Sequence, residues 1–388
     1  MSITAPQGFR AAGVTAGLKA SGNPDLALVV NDGPAKAAAA VFTSNRVAAA
    51  PVHWSREVVR DGRVDAVILN SGGANACTGP QGFQNTHTTA EKTAEALGVS
   101  ATDVFVCSTG LIGEQLPMDK ILAGIGAATT ALDPDGGADA AAAIMTTDSV
   151  SKQAVFTGTD ADGNTFTNGG MAKGAGMLAP GLATMLVVLT TDADVQPDML
   201  DVVLRDATRV TFDRADSDGC MSTNDTVVLL ASAASGAVPS AVEFGKGLTQ
   251  VCAELARKLI GDAEGASHDI AIRTFNAASE RDAETVSRAV ARSNLFKTAI
   301  FGKDPNWGRV LSAVGTTDAV FEPDRLNVSM NGVQICRNGS IGDDRSLVDL
   351  EPREVLVEID LQAGNAEATI LTNDLTHDYV HENSAYSS

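Results

Sequence analysis

A threonine at the end of a glycine-rich loop, directly before an apolar run, can become a nucleophile if the chain is cut in front of it. The segment Lys173-Gly-Ala-Gly-Met-Leu-Ala-Pro-Gly-Leu-Ala-Thr-Met-Leu186 has that layout. Gly174, Gly176 and Gly181 admit backbone shapes closed to other residues, and Pro180 fixes one angle nearby. The Thr184 hydroxyl is placed to attack the carbonyl of Ala183, and scission there would leave Thr184 as a new N-terminus. Such a residue carries its own base. An α-amine titrates near ~7.7–8.0 and a lysine near ~10.4. At pH 7 roughly one α-amine in six to eleven is therefore neutral, against fewer than about one lysine in a thousand. The β-branched side chain also has few rotamers, which holds its oxygen better than serine would.

An acyl-transfer nucleophile needs donors aimed at the developing oxyanion. Val104-Phe-Val-Cys-Ser-Thr-Gly110-Leu-Ile-Gly113 reads as a strand entering a glycine-containing turn, where the hydroxyl of Thr109 and a backbone N–H at Gly110 can converge. Other motifs fail. Gly124-Ile-Gly-Ala-Ala-Thr lacks the third glycine of a dinucleotide fingerprint and follows a helix-like segment. His377 and His381 lie in a stretch that looks extended, so they read as surface residues and no metal site is expected. There is no Gly-x-Ser-x-Gly elbow.

The elements that must position these residues are short. Val- and Ile-rich runs at Leu26–Val30, Ala66–Leu69, Val104–Val106, Met185–Leu189, Val227–Leu230, Ile270–Ile272, Val355–Ile359 and Ala368–Leu371 predict strands. Residues 90–97, 137–145, 197–209, 241–260 and 282–293 predict helices between them. Interleaved strands and helices mean an α/β or α+β protein, and 388 residues exceed what one core usually serves, so two lobes are expected. Asp133–Gly137 and Asp160–Gly170 are the expected flexible stretches. A net charge of −20 argues against nucleic acid or an anionic membrane as the main partner. No membrane-length apolar run or signal-peptide layout appears, and the scattered Cys77, Cys107, Cys220, Cys252 and Cys336 suit a reducing compartment, so a cytoplasmic location is expected.

Taken in order, the motifs resemble one family. They are Gly8-Phe-Arg-Ala-Ala-Gly-Val and Ala16-Gly-Leu-Lys; Asn70-Ser-Gly-Gly-Ala-Asn-Ala-Cys-Thr-Gly79; Cys107-Ser-Thr-Gly-Leu-Ile-Gly113; and Met145-Thr-Thr-Asp148. After the Lys173 loop come Asp218–Asp225, Asp262-Ala-Glu-Gly265, Phe301–Arg309 and the tail Asn383-Ser-Ala-Tyr386. The series resembles the ornithine acetyltransferase (glutamate N-acetyltransferase) family of arginine biosynthesis. The resemblance implies layered sheets between helices, like N-terminal-nucleophile hydrolases but with different connectivity. It also implies self-cleavage into an α chain (1–183) and a β chain (184–388), typically as an α2β2 heterotetramer. Thr184 would take acetyl from N-acetylornithine and pass it to glutamate. Thr109 and Gly110 match the oxyanion pair, and Thr147, Lys173, Thr184, Glu264, Asn383 and Ser388 match substrate-contacting positions. Lys173 suits a carboxylate and Glu264 an ammonium.

The resulting expectation is ping-pong acetyl transfer without a resident cofactor or metal. Some family members also use acetyl-CoA as co-substrate, and a bifunctional enzyme is the expectation here. The alternatives are a monofunctional ornithine acetyltransferase, a self-cleaved amidase or aminopeptidase, and a non-enzymatic acidic binding protein.

Overall fold

The computed structural model describes residues 3–177, 179 and 185–385. Three sheets form. The first has the order β1-β2-β4-β5, from β1 (Phe9–Val14), β2 (Leu26–Asn31), β4 (Ala66–Ser71) and β5 (Val104–Thr109). The second has the order β3-β9-β8-β7-β6, from β3 (Ala37–Phe42), β6 (Lys152–Thr159), β7 (Thr165–Lys173), β8 (Leu186–Thr191) and β9 (Thr226–Ala231). Only β4–β5 and β8–β9 pair parallel within them.

Strand periodicity explains how these two sheets stack. In the first sheet Leu26, Leu28, Ile68, Val104 and Val106 face one way, packed with Ala90, Ile121 and Ile125 from helices Gly79–Leu97 and Met118–Thr130. The alternate residues Ala27, Val29, Val67, Leu69 and Phe105 face the other way and meet Met171, Leu186, Val188, Val228 and Leu230 of the second sheet. The second sheet's far face (Val187, Leu189, Val227, Leu229) packs on helices Pro197–Arg209 and Ala241–Gly261. The result is a helix–sheet–sheet–helix sandwich. Strands buried on both faces lose polar alternation, which is why β2, β4, β5, β8 and β9 read as continuous apolar runs.

The third sheet makes a second lobe. Its order is β13-β12-β11-β14-β10-β15, from β10 (Asp269–Ala277), β11 (Asn327–Met330), β12 (Val333–Arg337), β13 (Ser340–Ile341), β14 (Glu354–Asp360) and β15 (Ala366–Asn373). One face is covered by helices Glu280–Ala291, Asn294–Phe301 and Trp307–Val314 through Val286, Val290, Phe296, Ile300 and Val310. Mixed α/β layering in two lobes agrees with the sequence expectation.

Some expectations need correction. Asp160–Gly170 is no loose connector: its first residues turn and the rest joins β7. The Asp160 carboxylate holds that turn, accepting from Asp162 N at 3.0 Å and Asn164 N at 2.8 Å through one oxygen and from Val238 N at 3.0 Å through the other. Asp133, at the start of the other expected flexible stretch, pairs with Ala11 through two backbone hydrogen bonds of 3.0 Å. His377 and His381, read as extended, lie on helix His377–Ala385, whose first turn is held by the Thr376 hydroxyl accepting from Tyr379 N at 2.9 Å. Both imidazoles are on exposed residues, and among the described residues no group of His, Cys, Asp and Glu could hold a metal.

Candidate active site

The C-terminal ends of β5 and β7 meet at one point, and both end in residues singled out from the sequence. Thr109 closes β5, with its carbonyl accepting from Gly72 N at 2.9 Å and Gly73 N at 3.0 Å. The chain then turns at Gly110, whose φ is 130° and where a Cβ would lie 2.5 Å from Gly73 N. Only glycine fits such a turn. Lys173 closes β7, fully enclosed, and its Nζ donates to Thr109 Oγ1 at 3.3 Å. Because that hydroxyl accepts from lysine, its own hydrogen is free to point at another acceptor.

Behind Lys173 lies a buried chain of alternating charge. Asp148 accepts from Gly174 N at 2.6 Å and from Lys152 Nζ at 2.6 Å through one oxygen, and from Thr146 N at 2.9 Å through the other. Lys152, with no exposed side chain, also reaches Asp262 at 2.5 Å. Burial pushes the Asp148 pKa up, but Lys173, Lys152 and the Gly174 amide outweigh it and bring it down to about 2. Burial pulls the Lys173 pKa down, opposed most by Asp148.

Directly after residue 184, Met185 N donates to Asp225 Oδ1 at 3.0 Å, and Thr226 N donates back to the Met185 carbonyl at 3.1 Å. Asp225 is completely buried, its pKa raised well above the usual carboxylate range by that burial, and its Oδ2 has no hydrogen-bond partner among the described residues. Thr184, the residue joined to Met185, lies outside the described residues, as do Ala183 and Ser388. Asn224 ties the neighbouring loops together, its Nδ2 donating to Ala74 O at 2.7 Å and Ser108 O at 2.8 Å.

A cleft of about 600 Å³ opens over this junction. It is lined by Thr109, Gly110, Thr147, Lys173, Glu264 and Asn383, so the described residues carried over from the resemblance converge on one space. Their sources are far apart in sequence: β5, the loop after helix Gly137–Ala143, β7, the turn after helix Ala241–Gly261, and helix His377–Ala385. The Glu264 backbone N–H is held on Ala175 O at 3.0 Å. A Cβ on Gly176 would lie 2.6 Å from Glu264 Oε2, so that glycine leaves the carboxylate its place.

The sequence reading gave no role to Lys19, Asp218 and Tyr379 of the same lining. Asp218 accepts from Met177 N at 2.7 Å, and burial raises its pKa. Tyr379 is pushed up to about 12 by burial, then by the charges of Asp218 and Glu264. Lys19 and Asp218 stand in motifs already quoted for the resemblance, so their positions were flagged without a task. Tyr379 was hidden because its helix was read as extended.

The model of the ArgJ family matches residues 10–388. The chain belongs to the ArgJ family. Its curated relatives include the arginine biosynthesis bifunctional protein ArgJ of Streptomyces coelicolor, 65% identical over 388 residues and covering 100% of both chains. The protein of that name from Thermobifida fusca is 63% identical, again over 100% of both. Among solved structures, ornithine acetyltransferase complexed with ornithine from Mycobacterium tuberculosis is 57% identical, covering 48% of this chain and 96% of that chain, with a TM-score of 0.44. An ArgJ-family chain thus places the family's motifs from β5, β7 and the C-terminal helix around a single cleft.

Proposed function

We propose that this ArgJ-family enzyme cuts itself before Thr184 and then moves acetyl groups through that threonine. The observation that carries the reading is the cleft in which Thr109, Gly110, Thr147, Lys173, Glu264 and Asn383 come together, beside the point where Met185 is pinned on Asp225. In self-cleavage the Thr184 hydroxyl attacks the Ala183 carbonyl, the amide nitrogen leaves with a proton, and water hydrolyses the resulting ester. In turnover the freed α-amine takes the hydroxyl proton as Oγ attacks the acetyl carbonyl of N-acetylornithine. The oxyanion is held by the Thr109 hydroxyl and the Gly110 N–H. Collapse expels ornithine with the proton and leaves acetyl-Thr184, and the glutamate amine then takes the acetyl group. Lys173 and Glu264 supply a cation and an anion for the amino-acid ends, with Thr147, Asn383 and Ser388 completing the contacts.

The same ester forms from acetyl-CoA, in keeping with the bifunctional names of the relatives. No resident cofactor or metal enters the scheme. The cleaved chains, 1–183 and 184–388, are assigned to an α2β2 assembly.

The test is direct. Purified protein is expected to run as two fragments, the second beginning Thr-Met-Leu-Val, while Thr184→Ala remains one inactive chain. Incubation with N-acetylornithine and glutamate is expected to yield ornithine and acetylglutamate. Release of free acetate alone would make the protein a hydrolase, and an uncut active chain would end the proposal. Acetyl-CoA and glutamate without N-acetylornithine test the second activity.

A further inference from the structure

The proposed reaction sets one site an awkward task. N-acetylornithine brings a side chain ending in an ammonium, and glutamate brings one ending in a carboxylate, yet both must place their α-nitrogen at the same acetyl carbon beside Thr184. An acidic wall at Glu264 and Asp218 suits the first and repels the second. The cleft lining contains two cations, Lys19 and Lys173. Lys173, which donates to Thr109 at 3.3 Å, serves the amino-acid end common to both substrates in the reading above. Lys19 comes from a different segment, the 18–21 stretch between β1 and β2, which also lines the cleft.

The backbone of that segment is pinned. The fully buried Asp25 carboxylate accepts from Ala16 N at 2.6 Å through one oxygen, and from Leu18 N at 2.5 Å and Lys19 N at 3.0 Å through the other. Asp25 thus accepts three hydrogen bonds from the backbone. Among the described residues the Lys19 ammonium donates to the Pro24 carbonyl at 2.7 Å and makes no ion pair. An ammonium has three donors, so two remain. Partial burial lowers the Lys19 pKa, with Lys173 adding to that and Asp25 and Asp148 opposing it, a cost that an arriving carboxylate relieves.

We infer that Lys19 is the specificity residue for the acceptor: it binds the side-chain carboxylate of glutamate, while the acidic residues of the same cleft receive the ornithine ammonium. The inference rests on the acetyl-transfer reading above, and deepens it by giving the two substrates separate side-chain subsites.

The experiment separates the half-reactions in the self-processed enzyme. Wild type, Lys19→Gln and Lys19→Arg are mixed with N-acetylornithine alone to measure the burst of ornithine, then assayed with glutamate and with glutamine as acceptors. For Lys19→Gln the expected result is a KM for glutamate raised roughly 10- to 100-fold, as loss of a charge-assisted hydrogen bond implies. The ornithine burst is expected to change far less. The preference for glutamate over its uncharged amide glutamine is expected to flatten, and Lys19→Arg to restore most of it. A merely structural role would not move that ratio. An unchanged glutamate KM with an unchanged glutamate-to-glutamine ratio would overturn the assignment. Absence of an ornithine burst in the wild-type enzyme would instead sink the acetyl-transfer reading itself.

Discussion

Lys152 is buried with no exposed side chain, and the two carboxylates flanking it make that tolerable. Removing the cation alone strands them, so Lys152→Met is expected to cost about 3–5 kcal/mol. For a chain of this size that means a fall in Tm of about 4–6 °C, read by calorimetry. Asp148 adds a pH signature. Its folded pKa of about 2 lies below the unfolded carboxylate's, so its stabilisation is complete above the unfolded value and is lost as pH falls through the folded one. Stability is expected to decline between about pH 5 and pH 2, with Asp148 contributing on the order of 2 kcal/mol. Replacing Asp148 by Asn is expected to flatten that part of an acid titration followed by circular dichroism. Little of this network was legible in the sequence: Asp148 and Asp262 stood inside recognised motifs, but nothing local tells that they share one lysine from an adjacent strand. The cleft residues were legible only because a whole series of motifs could be matched in order.

The turns that end the strands do more for the site than the strands themselves. Gly176 illustrates this, since a methyl group there would occupy the space of the Glu264 carboxylate rather than of any backbone. Gly176→Ala is expected to displace that side chain and raise KM for N-acetylornithine about tenfold or more, as for a weakened charged contact. Its Tm is expected to stay within about 1 °C of wild type, in keeping with an unaltered core. Steady-state kinetics beside a thermal melt checks both halves. Elements buried on both faces, such as β2 and β9, announced themselves by unbroken Val and Leu. Others did not. β3 is Ala-Ala-Ala-Ala-Val-Phe, and alanine carries no strand preference, so only its pairing with β9 makes it extended. Helix His377–Ala385 has no buried residues and so no apolar stripe, which left its sequence without a helical signature.

At the scale of the molecule the two lobes are joined through Asp216, fully buried and gripped by Arg292 at 2.7 Å and Arg288 at 3.4 Å from the helix of the second lobe. Its own N–H donates to Leu371 O of β15 at 2.8 Å. Asp216→Ala removes the anion from beneath two guanidinium groups and is expected to lower Tm by about 4 °C, with faster amide exchange in residues 215–225 than elsewhere in the sandwich. Two lobes were foreseeable from length, but this joint was not, because it depends on distant residues meeting. No helix among the described residues is long and apolar enough to cross a membrane. β8 and β9, which follow residue 184, are bracketed by β3 on one side and β7 with β6 on the other, all of which precede it. If the backbone is severed before Thr184 as proposed, neither piece owns the whole of this second sheet, and the halves cannot part without melting it. Maturation then resembles a ratchet: a molecule unfolded after the cut must find its other half by diffusion. Recovery from denaturant would then depend on dilution, whereas the uncut Thr184→Ala chain would recover independently of it. Durability in the working enzyme would thus be governed by how slowly it opens, rather than by how well it closes again.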